Sequence, residues 1–131
     1  MSLLHRSPHF VVHHERSTRA YLRLLRTSTT FATPDEARAA VQQCQAALRH
    51  IDGSRLGILF DWRQAVLSTD LQLHQALVES MEELAKRFVR RALLMATPLG
   101  KLQVTRLTQH QPGKPVIFFD ENAAIAYVAE G

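Results

Sequence analysis

Four histidines near the start of the chain are the densest group of side chains that could bind a metal ion: His5, His9, His13 and His14. Zinc holds its imidazole ligands about 2 Å away. The surrounding sequence predicts a β-strand, in which His9 and His13 share a face but stand about 13 Å apart at roughly 3.3 Å per residue. One ion cannot bridge that distance, so we predict exposed strand histidines that titrate near neutral pH, and no metal site.

A second candidate is the sequence Asp61-Trp62-Arg63, which follows a continuous apolar run at 56–60. Open parallel sheets bind ligands just beyond the carboxyl ends of their strands. Asp61 and Arg63 could recognise a polar group there, with Trp62 as a flat apolar wall. In the alternative interpretation, an Asp–Arg pair shapes the loop and a half-buried tryptophan covers the core.

Nothing else in the sequence supports catalysis. Cys44 falls on the apolar stripe of a predicted helix, where a cysteine acts as a small hydrophobic residue. The glycines are scattered and form no loop that could bind phosphate, and no nucleophile–base pair or metal-ligand set occurs at a plausible spacing. We therefore predict that the chain is not an enzyme and uses no cofactor.

The elements that would position these residues follow from the apolar pattern. Residues 10–12 and the alternating segment 20–24 predict an antiparallel pair of strands with a turn at Ser17-Thr18. Three continuous apolar runs predict strands buried on both faces, at 56–60, 92–96 and 116–119.

Four helices separate or follow these runs. The first has a capping box of Thr33 and Glu36 and ends at Asp52-Gly53. In the second, Ser68-Thr69-Asp70 opens the helix, and Thr69 forms a capping box with Gln72. Its apolar stripe comprises Leu73, Leu77, Met81, Leu84 and Phe88.

The third predicted helix begins at Thr97-Pro98 and runs to about residue 110. Its predicted inner residues are Leu99, Leu102 and Leu107. Asp120 is predicted to cap a fourth helix that ends near residue 130.

The resulting order is β-β-α-β-α-β-α-β-α, an α/β fold with a mixed sheet of about five strands and flanking helices. We expect one domain over residues 1–131, with residues 1–7 as a loose N-terminal end.

This order resembles the STAS fold of anti-sigma-factor antagonists, and more narrowly the SpoIIAA-like set. The similarity rests on the strand ending in Asp61-Trp62-Arg63, the helix start at Ser68-Thr69-Asp70, and the last strand with its helix. Antagonist members carry a phosphorylatable serine near this helix start. The resemblance thus implies phosphorylation at Ser68 or Thr69, although Asp70 stands where those members have a glycine-containing turn.

The resemblance implies a non-catalytic regulatory or protein-interaction module, with a protein partner bound around Asp61, Trp62, Arg63, Ser68 and Thr69. The alternative is a domain that binds a small apolar, anionic or lipid ligand near Trp62, in a pocket between the loop before the second helix and the turn at 97–100. An apolar cavity beside Trp62 favours the ligand, whereas a filled core and a flat exposed patch favour the protein partner. A homo-oligomer is compatible with either.

Composition narrows the classes of protein. The chain is 46% hydrophobic and 21% charged, which is typical of a globular domain. Its longest apolar run, 123–129, is too short to span a bilayer, and a single cysteine makes the cytoplasm the expected compartment. Five arginines against one acidic residue in residues 1–30 account for the net charge of +4. No aromatic platform accompanies them, so we expect no nucleic-acid partner.

Overall fold

The computed structural model describes residues 2–16, 20–66, 68–109, 111 and 114–129. They form a six-stranded sheet in the order β1-β2-β3-β4-β5-β6. The strands are β1 Ser2–Arg6, β2 Phe10–Glu15, β3 Tyr21–Arg26, β4 Gly57–Asp61, β5 Arg90–Leu94 and β6 Val116–Phe118. β1, β2 and β3 pair antiparallel, and β3 to β6 pair parallel. The predicted mixed sheet is confirmed.

The start of the chain departs from the sequence prediction. We expected residues 1–7 to be loose, but Ser2–Arg6 pairs with β2 and raises the number of strands from about five to six. An edge strand is held by main-chain hydrogen bonds along one side and needs no strong apolar alternation. For this reason the apolar pattern of the sequence did not predict a strand at Ser2–Arg6. The predicted turn at Ser17-Thr18 lies outside the described residues.

The four helices are α1 Pro34–Ala47, α2 Leu71–Ala85, α3 Pro98–Thr108 and α4 Glu121–Ala129. The larger apolar cluster joins α1, α2 and α3 to one face of the sheet, which we call the inner face. A smaller cluster joins α4 to the opposite, outer face. The helices therefore cover the sheet unequally, with three on one side and one on the other.

The first helix begins as predicted and ends early. Thr33 Oγ1 accepts a hydrogen bond from Glu36 N at 3.1 Å. Glu36 Oε1 accepts from Ala32 N rather than from the amide of the cap itself. The helix stops at Ala47, and the predicted terminator Asp52 instead accepts from Ser54 N and begins a short 3₁₀ turn.

The second helix has a different cap from the predicted one. Asp70 Oδ1 accepts from the amides of Gln72 and Leu73 at 3.0 and 3.2 Å, so Asp70 is the N-cap and Thr69 is not. Aspartate and threonine are both good caps. The chain places the carboxylate one residue closer to the free amides. The residues of the predicted apolar stripe are buried as expected, but the last of them, Phe88, lies beyond the end of the helix at Ala85.

The third helix and the last strand are more exposed than predicted. α3 turns Val104 and Thr108 inward and leaves Leu99 and Leu102 in solvent, with 64% and 48% exposure. The predicted orientation of α3 is therefore wrong. β6 is an edge strand rather than a buried one, and Val116 is exposed. α4 starts beside Asp120, whose Oδ1 accepts from Asn122 N.

Alternation along β3 decides where its arginines point. Leu22, Leu24 and Arg26 lie on the inner face, whereas Tyr21 and Arg23 lie on the outer face. Arg23 and Arg26 therefore lie on opposite faces of the sheet. Arg23 contacts Glu121 at the start of α4, and Arg26 enters the core.

Candidate functional site

Asp61 ends β4 on the outer face, with 1% of its surface exposed. Its Oδ2 accepts from Arg23 Nη1 at 2.9 Å and from Arg63 Nη2 at 2.8 Å. Its Oδ1 accepts from Arg63 Nε and from the Arg63 amide. Burial alone would raise the pKa of Asp61, but the hydrogen bonds and charge of Arg63, with the charge of Arg23, outweigh it and lower that pKa.

A second carboxylate completes this ion cluster. Glu121, the first residue of α4, contacts Arg23 Nη2 and Arg63 Nη2. Two carboxylates and two guanidinium groups therefore tie β3, β4 and α4 together with no net charge. Asp61 and Arg63 engage each other here, as in the interpretation in which an Asp–Arg pair shapes the loop.

Trp62 points to the opposite side of the sheet. It lies against the inner-face core with 5% exposure, as in the interpretation in which Trp62 covers the core, but it is more buried than the half-buried residue of that interpretation. Its Nε1 has no hydrogen-bond partner among the described residues. Alternation separates Trp62 from its neighbours in sequence, so the three predicted site residues do not form one site.

Two residues that sequence reasoning missed lie on the same side as Trp62. Arg26 is 2% exposed, and its guanidinium carbon is 5.2 Å from the centre of the Trp62 ring and 5.5 Å from that of Phe31. His74, in the first turns of α2, is 3% exposed. Burial, followed by the charge of Arg26, lowers the pKa of His74.

Several polar atoms of these two residues have no hydrogen-bond partner among the described residues. Within the described part of the chain, Arg26 Nε and Nη1 and both ring nitrogens of His74 make no hydrogen bond. A signal for both positions exists in the sequence. Arg26 continues the two-residue alternation of Leu22 and Leu24, and His74 precedes Leu77 by three residues on the buried stripe of α2.

A groove of about 380 Å³ opens over His74, between the start of α2 and the middle of α3. We call it the α2–α3 groove. It is lined by Ser68, Thr69, Leu71, His74, Gln103, Arg106 and Leu107. It lies farther along α3 than the predicted pocket, which we placed at the turn 97–100. The reason is the rotation of α3, which brings Gln103 and Leu107 to the groove.

A narrow apolar cavity of about 40 Å³ lies beside Trp62. Its wall is formed mainly by Phe60, Trp62, Met81, Leu93 and Val104. Of the two observations that would separate a ligand-binding domain from a protein-interaction module, an apolar cavity beside Trp62 is therefore present. Its volume suits only a very small group.

Ser68 and Thr69 lie at the entrance of the α2–α3 groove. Ser68 Oγ accepts from Asp70 N at 2.9 Å and helps to order the turn before α2. Thr69 is exposed and takes no part in the cap of the helix. Both hydroxyl groups are thus near the groove, and only that of Ser68 has a role in the local turn.

Comparison with solved structures decides the fold. A crystal structure from Shewanella loihica PV-4, described as an uncharacterized protein from the DUF3478 family with a SpoIIAA-like fold, matches with a TM-score of 0.65. The match covers 95% of this chain and 98% of that chain, at 19% sequence identity. The chain has a SpoIIAA-like fold. No protein-family model and no curated protein sequence matches it.

Within this SpoIIAA-like fold, the N-terminal histidines are dispersed. The His9 ring stacks on Phe31 at 4.3 Å, and its Nε2 is 3.1 Å from Glu36 Oε1. Burial lowers the pKa of His5. In the ranges that the structure describes, no three His, Cys, Asp or Glu side chains gather closely enough to hold a metal ion.

Two further features of the SpoIIAA-like chain bear on function. Cys44 is buried in α1, and burial raises the pKa of its thiol to about 12, so the thiol stays protonated at neutral pH. Among the helices described, none has both the length and the apolar character to cross a membrane.

Proposed function

We propose that this chain is a non-catalytic domain that binds a small organic molecule in the α2–α3 groove. The observation that carries the proposal is the floor of the groove. His74 lines it with both ring nitrogens free of partners in the described residues, at 3% exposure. Buried polar groups are nearly always hydrogen-bonded, so such a floor fits a site that is completed by a ligand.

The rest of the groove supports the same proposal. Leu71 and Leu107 supply apolar walls, and Arg106, Ser68 and Thr69 supply polar groups at the rim. A volume of about 380 Å³ lies at the lower end of the range of small-molecule sites. Apolar walls with a few convergent polar groups are the usual composition of such sites.

The way in which the reactive groups are used supports the non-catalytic part of the proposal. The Asp61 carboxylate is held by two guanidinium groups and is not available as a base. Among the described residues, no hydrogen bond joins Ser68 or Thr69 to His74, so the groove has no activated nucleophile. The proposal needs no cofactor, no metal and no nucleic acid. The cytoplasm remains the expected compartment.

The test is to denature the purified protein, extract any compound that was bound to it and identify that compound by mass spectrometry. That compound is then titrated back while the emission of Trp62, the only tryptophan of the chain, is recorded. We expect saturable binding that Leu107→Ala weakens. Leu99→Ala is the matched control, because Leu99 is on the same helix but outside the groove. If no compound is extracted and a panel of short apolar and acidic compounds gives no binding heat by calorimetry, the proposal is wrong.

A second candidate is favoured by exposed apolar side chains on α3. Leu99 and Leu102 are exposed and lie three residues apart on one helical face, and Leu71 at the start of α2 is 69% exposed. Exposed apolar groups of this kind suit a protein partner, including a second copy of the chain. In this candidate Ser68 and Thr69 are the phosphorylation sites, because an added phosphate would bring negative charge to the edge of that surface.

Sedimentation and partner capture separate the two candidates. The partner proposal expects Leu99→Ser with Leu102→Ser to abolish self-association or capture of the partner, with unchanged stability. It also expects Ser68→Asp or Thr69→Asp, but not the matched alanine variants, to weaken the same association. If association tracks thermal stability across all of these variants, the partner candidate is wrong.

A further inference from the structure

Two polar side chains that line the α2–α3 groove have unsatisfied polar atoms. His74 comes from α2 and Gln103 from α3. His74 is 3% exposed, and neither of its ring nitrogens has a hydrogen-bond partner among the described residues. Gln103 is intermediate in exposure, but its Oε1 is buried and has no partner in the same part of the chain. The two side chains therefore line one groove without satisfying each other.

The hydrogen-bonding capacity of these two side chains is mixed. Burial, followed by the charge of Arg26, lowers the pKa of His74 from its usual value, so its ring is neutral at neutral pH. A neutral imidazole has one N–H, which donates, and one bare nitrogen, which accepts. Gln103 Oε1 is a second acceptor. The unsatisfied atoms of the groove lining are thus one donor and two acceptors, all uncharged.

Charged groups of a ligand fit this set poorly. A carboxylate only accepts, so it would leave the Gln103 oxygen unpaired and bring a negative charge close to it. An ammonium group only donates, so it would leave the His74 N–H unpaired. Among the described residues that line the groove, Arg106 alone carries a permanent charge. Arg106 is exposed, and an exposed charge contributes little because water and salt screen it, so the buried polar atoms govern selection.

We propose that the ligand places an uncharged group that both donates and accepts, a hydroxyl or a carboxamide, between His74 and Gln103. This group accepts a hydrogen bond from the His74 N–H and donates one to Gln103 Oε1. The apolar body of the ligand lies along Leu71 and Leu107. The inference rests on the proposed function and adds the chemical class of the ligand, a small neutral amphiphile.

The test compares hexanamide, hexanol, hexanoate and hexylamine by isothermal titration calorimetry at neutral pH. The four compounds have the same chain length and differ in the polar group, so the two neutral ones distinguish a carboxamide from a hydroxyl site. We expect the better neutral compound to bind wild type roughly tenfold or more tightly than either charged one, because each charged group leaves a buried polar atom unpaired. Leu107→Ala should weaken all four compounds to a similar extent.

A variant of Gln103 isolates its role in this preference. Gln103→Met removes the acceptor and keeps a side chain of similar length, so it should lower the preference for the neutral compound over hexanoate severalfold. Gln109→Met is the matched control, because Gln109 is an exposed glutamine that follows the same helix and does not line the groove. This control should leave the preference as it is in wild type.

A second measurement uses the wild-type protein. In nitrogen-15 spectra, the ring resonances of His74 should shift on addition of the preferred neutral compound while the ring stays neutral. Conversion of His74 to imidazolium when hexanoate binds would overturn the inference. Equal binding of all four compounds, stronger binding of a charged one, or a preference unchanged in Gln103→Met would also overturn it and leave the proposed function standing. Failure of all four to bind overturns it as well, while extraction of a bound compound decides the proposed function separately.

Discussion

Asp61 illustrates how a carboxylate can stabilise the fold instead of binding a ligand. Asp61 accepts from two arginines on different elements and is almost fully buried. The sequence motif suggested two roles, a polar-recognition site and an Asp–Arg pair that shapes the loop. The contact with Arg23 favours the second role, and Arg23 lies 38 residues earlier in the chain, where no local pattern could place it beside Asp61.

We predict that Asp61→Asn destabilises the protein by about 1–3 kcal/mol, because it leaves two guanidinium groups around a neutral amide. Glu121→Gln is the matched control, with an expected loss within about 1 kcal/mol because Glu121 is half-exposed. Urea unfolding at neutral pH measures both. The stabilisation from the Asp61 charge is complete above the unfolded pKa of about 4 and is lost as the pH falls through the lowered folded pKa. Equal losses in the two variants would contradict the role of Asp61.

His74 should lower the stability of the unliganded protein as the pH falls, in a higher pH range than Asp61 does. Its folded pKa is lowered from 6.5, so the folded state binds this proton less well than the unfolded state. The contribution of neutral His74 is therefore present above pH 6.5 and is lost as the pH falls through the lowered pKa. We predict that His74→Leu flattens the decline in thermal stability below pH 6.5.

His14→Gln is the control for this measurement. Burial, then Arg16, lowers the pKa of His14 as well, but its surroundings are more open, so its replacement should change the profile less. A His74→Leu profile parallel to that of wild type would rule out this role for His74.

At the level of elements, the start of α2 shows what a sequence signal can and cannot decide. Ser68-Thr69-Asp70 predicted a helix start, and α2 does begin at Leu71. The choice of cap among three adjacent polar residues depends on the path of the preceding loop. Here the Ser68 hydroxyl accepts a hydrogen bond from the Asp70 amide. The Asp70 carboxylate is turned towards the helix, where it accepts a hydrogen bond from the Gln72 amide.

We therefore predict that Asp70→Ala costs about 1 kcal/mol of unfolding free energy, with a range of roughly 0.5–2. Thr69→Ala should stay within about 0.5 kcal/mol of wild type, because its exposed side chain caps nothing. Chemical unfolding of the two variants side by side gives the answer. A larger loss in Thr69→Ala than in Asp70→Ala would restore Thr69 as the cap.

α3 shows the opposite case, in which the pattern predicts the helix but misplaces its faces. Leu99, Leu102 and Leu107 are its most apolar side chains, yet Val104 and Thr108 face the core. Thr108 can do so because its hydroxyl donates to the Val104 carbonyl at 2.9 Å. The rotation of a helix is set by the space that its neighbours leave. The sequence of α3 alone carries too few apolar residues to decide it.

Across the whole molecule, the elements predicted correctly from the sequence are those whose local apolar pattern agrees with their packing against distant parts of the chain. The central strands are buried on both faces and read as continuous apolar runs, so their parallel arrangement follows from the alternation with helices. The edge strand β1 and the buried Arg26 depend on partners far away in the chain. The sequence named Ser68 and Thr69, which line the α2–α3 groove, but it did not single out His74, which lines the groove as well.

The two faces of the sheet should respond separately to mutation, because the α2–α3 groove lies on the inner face and α4 packs on the outer one. Gly57 in β4 tests this separation. A Cβ at Gly57 would overlap the Val128 carbonyl of α4, whereas a Cβ at Gly53 would overlap the Arg87 carbonyl just after α2.

We predict that Gly57→Ala lifts α4 from the sheet and speeds amide hydrogen exchange over Glu121–Ala129, with little change in α2 and α3. Gly53→Ala is the matched control, and its effect should centre on the end of α2 instead. Hydrogen exchange followed by mass spectrometry resolves the two patterns. Ligand binding in the α2–α3 groove should survive Gly57→Ala, because α4 supplies none of the groove residues. Uniform loss of protection across all four helices would mean that the two layers unfold as one unit, and the separation of faces would then be wrong.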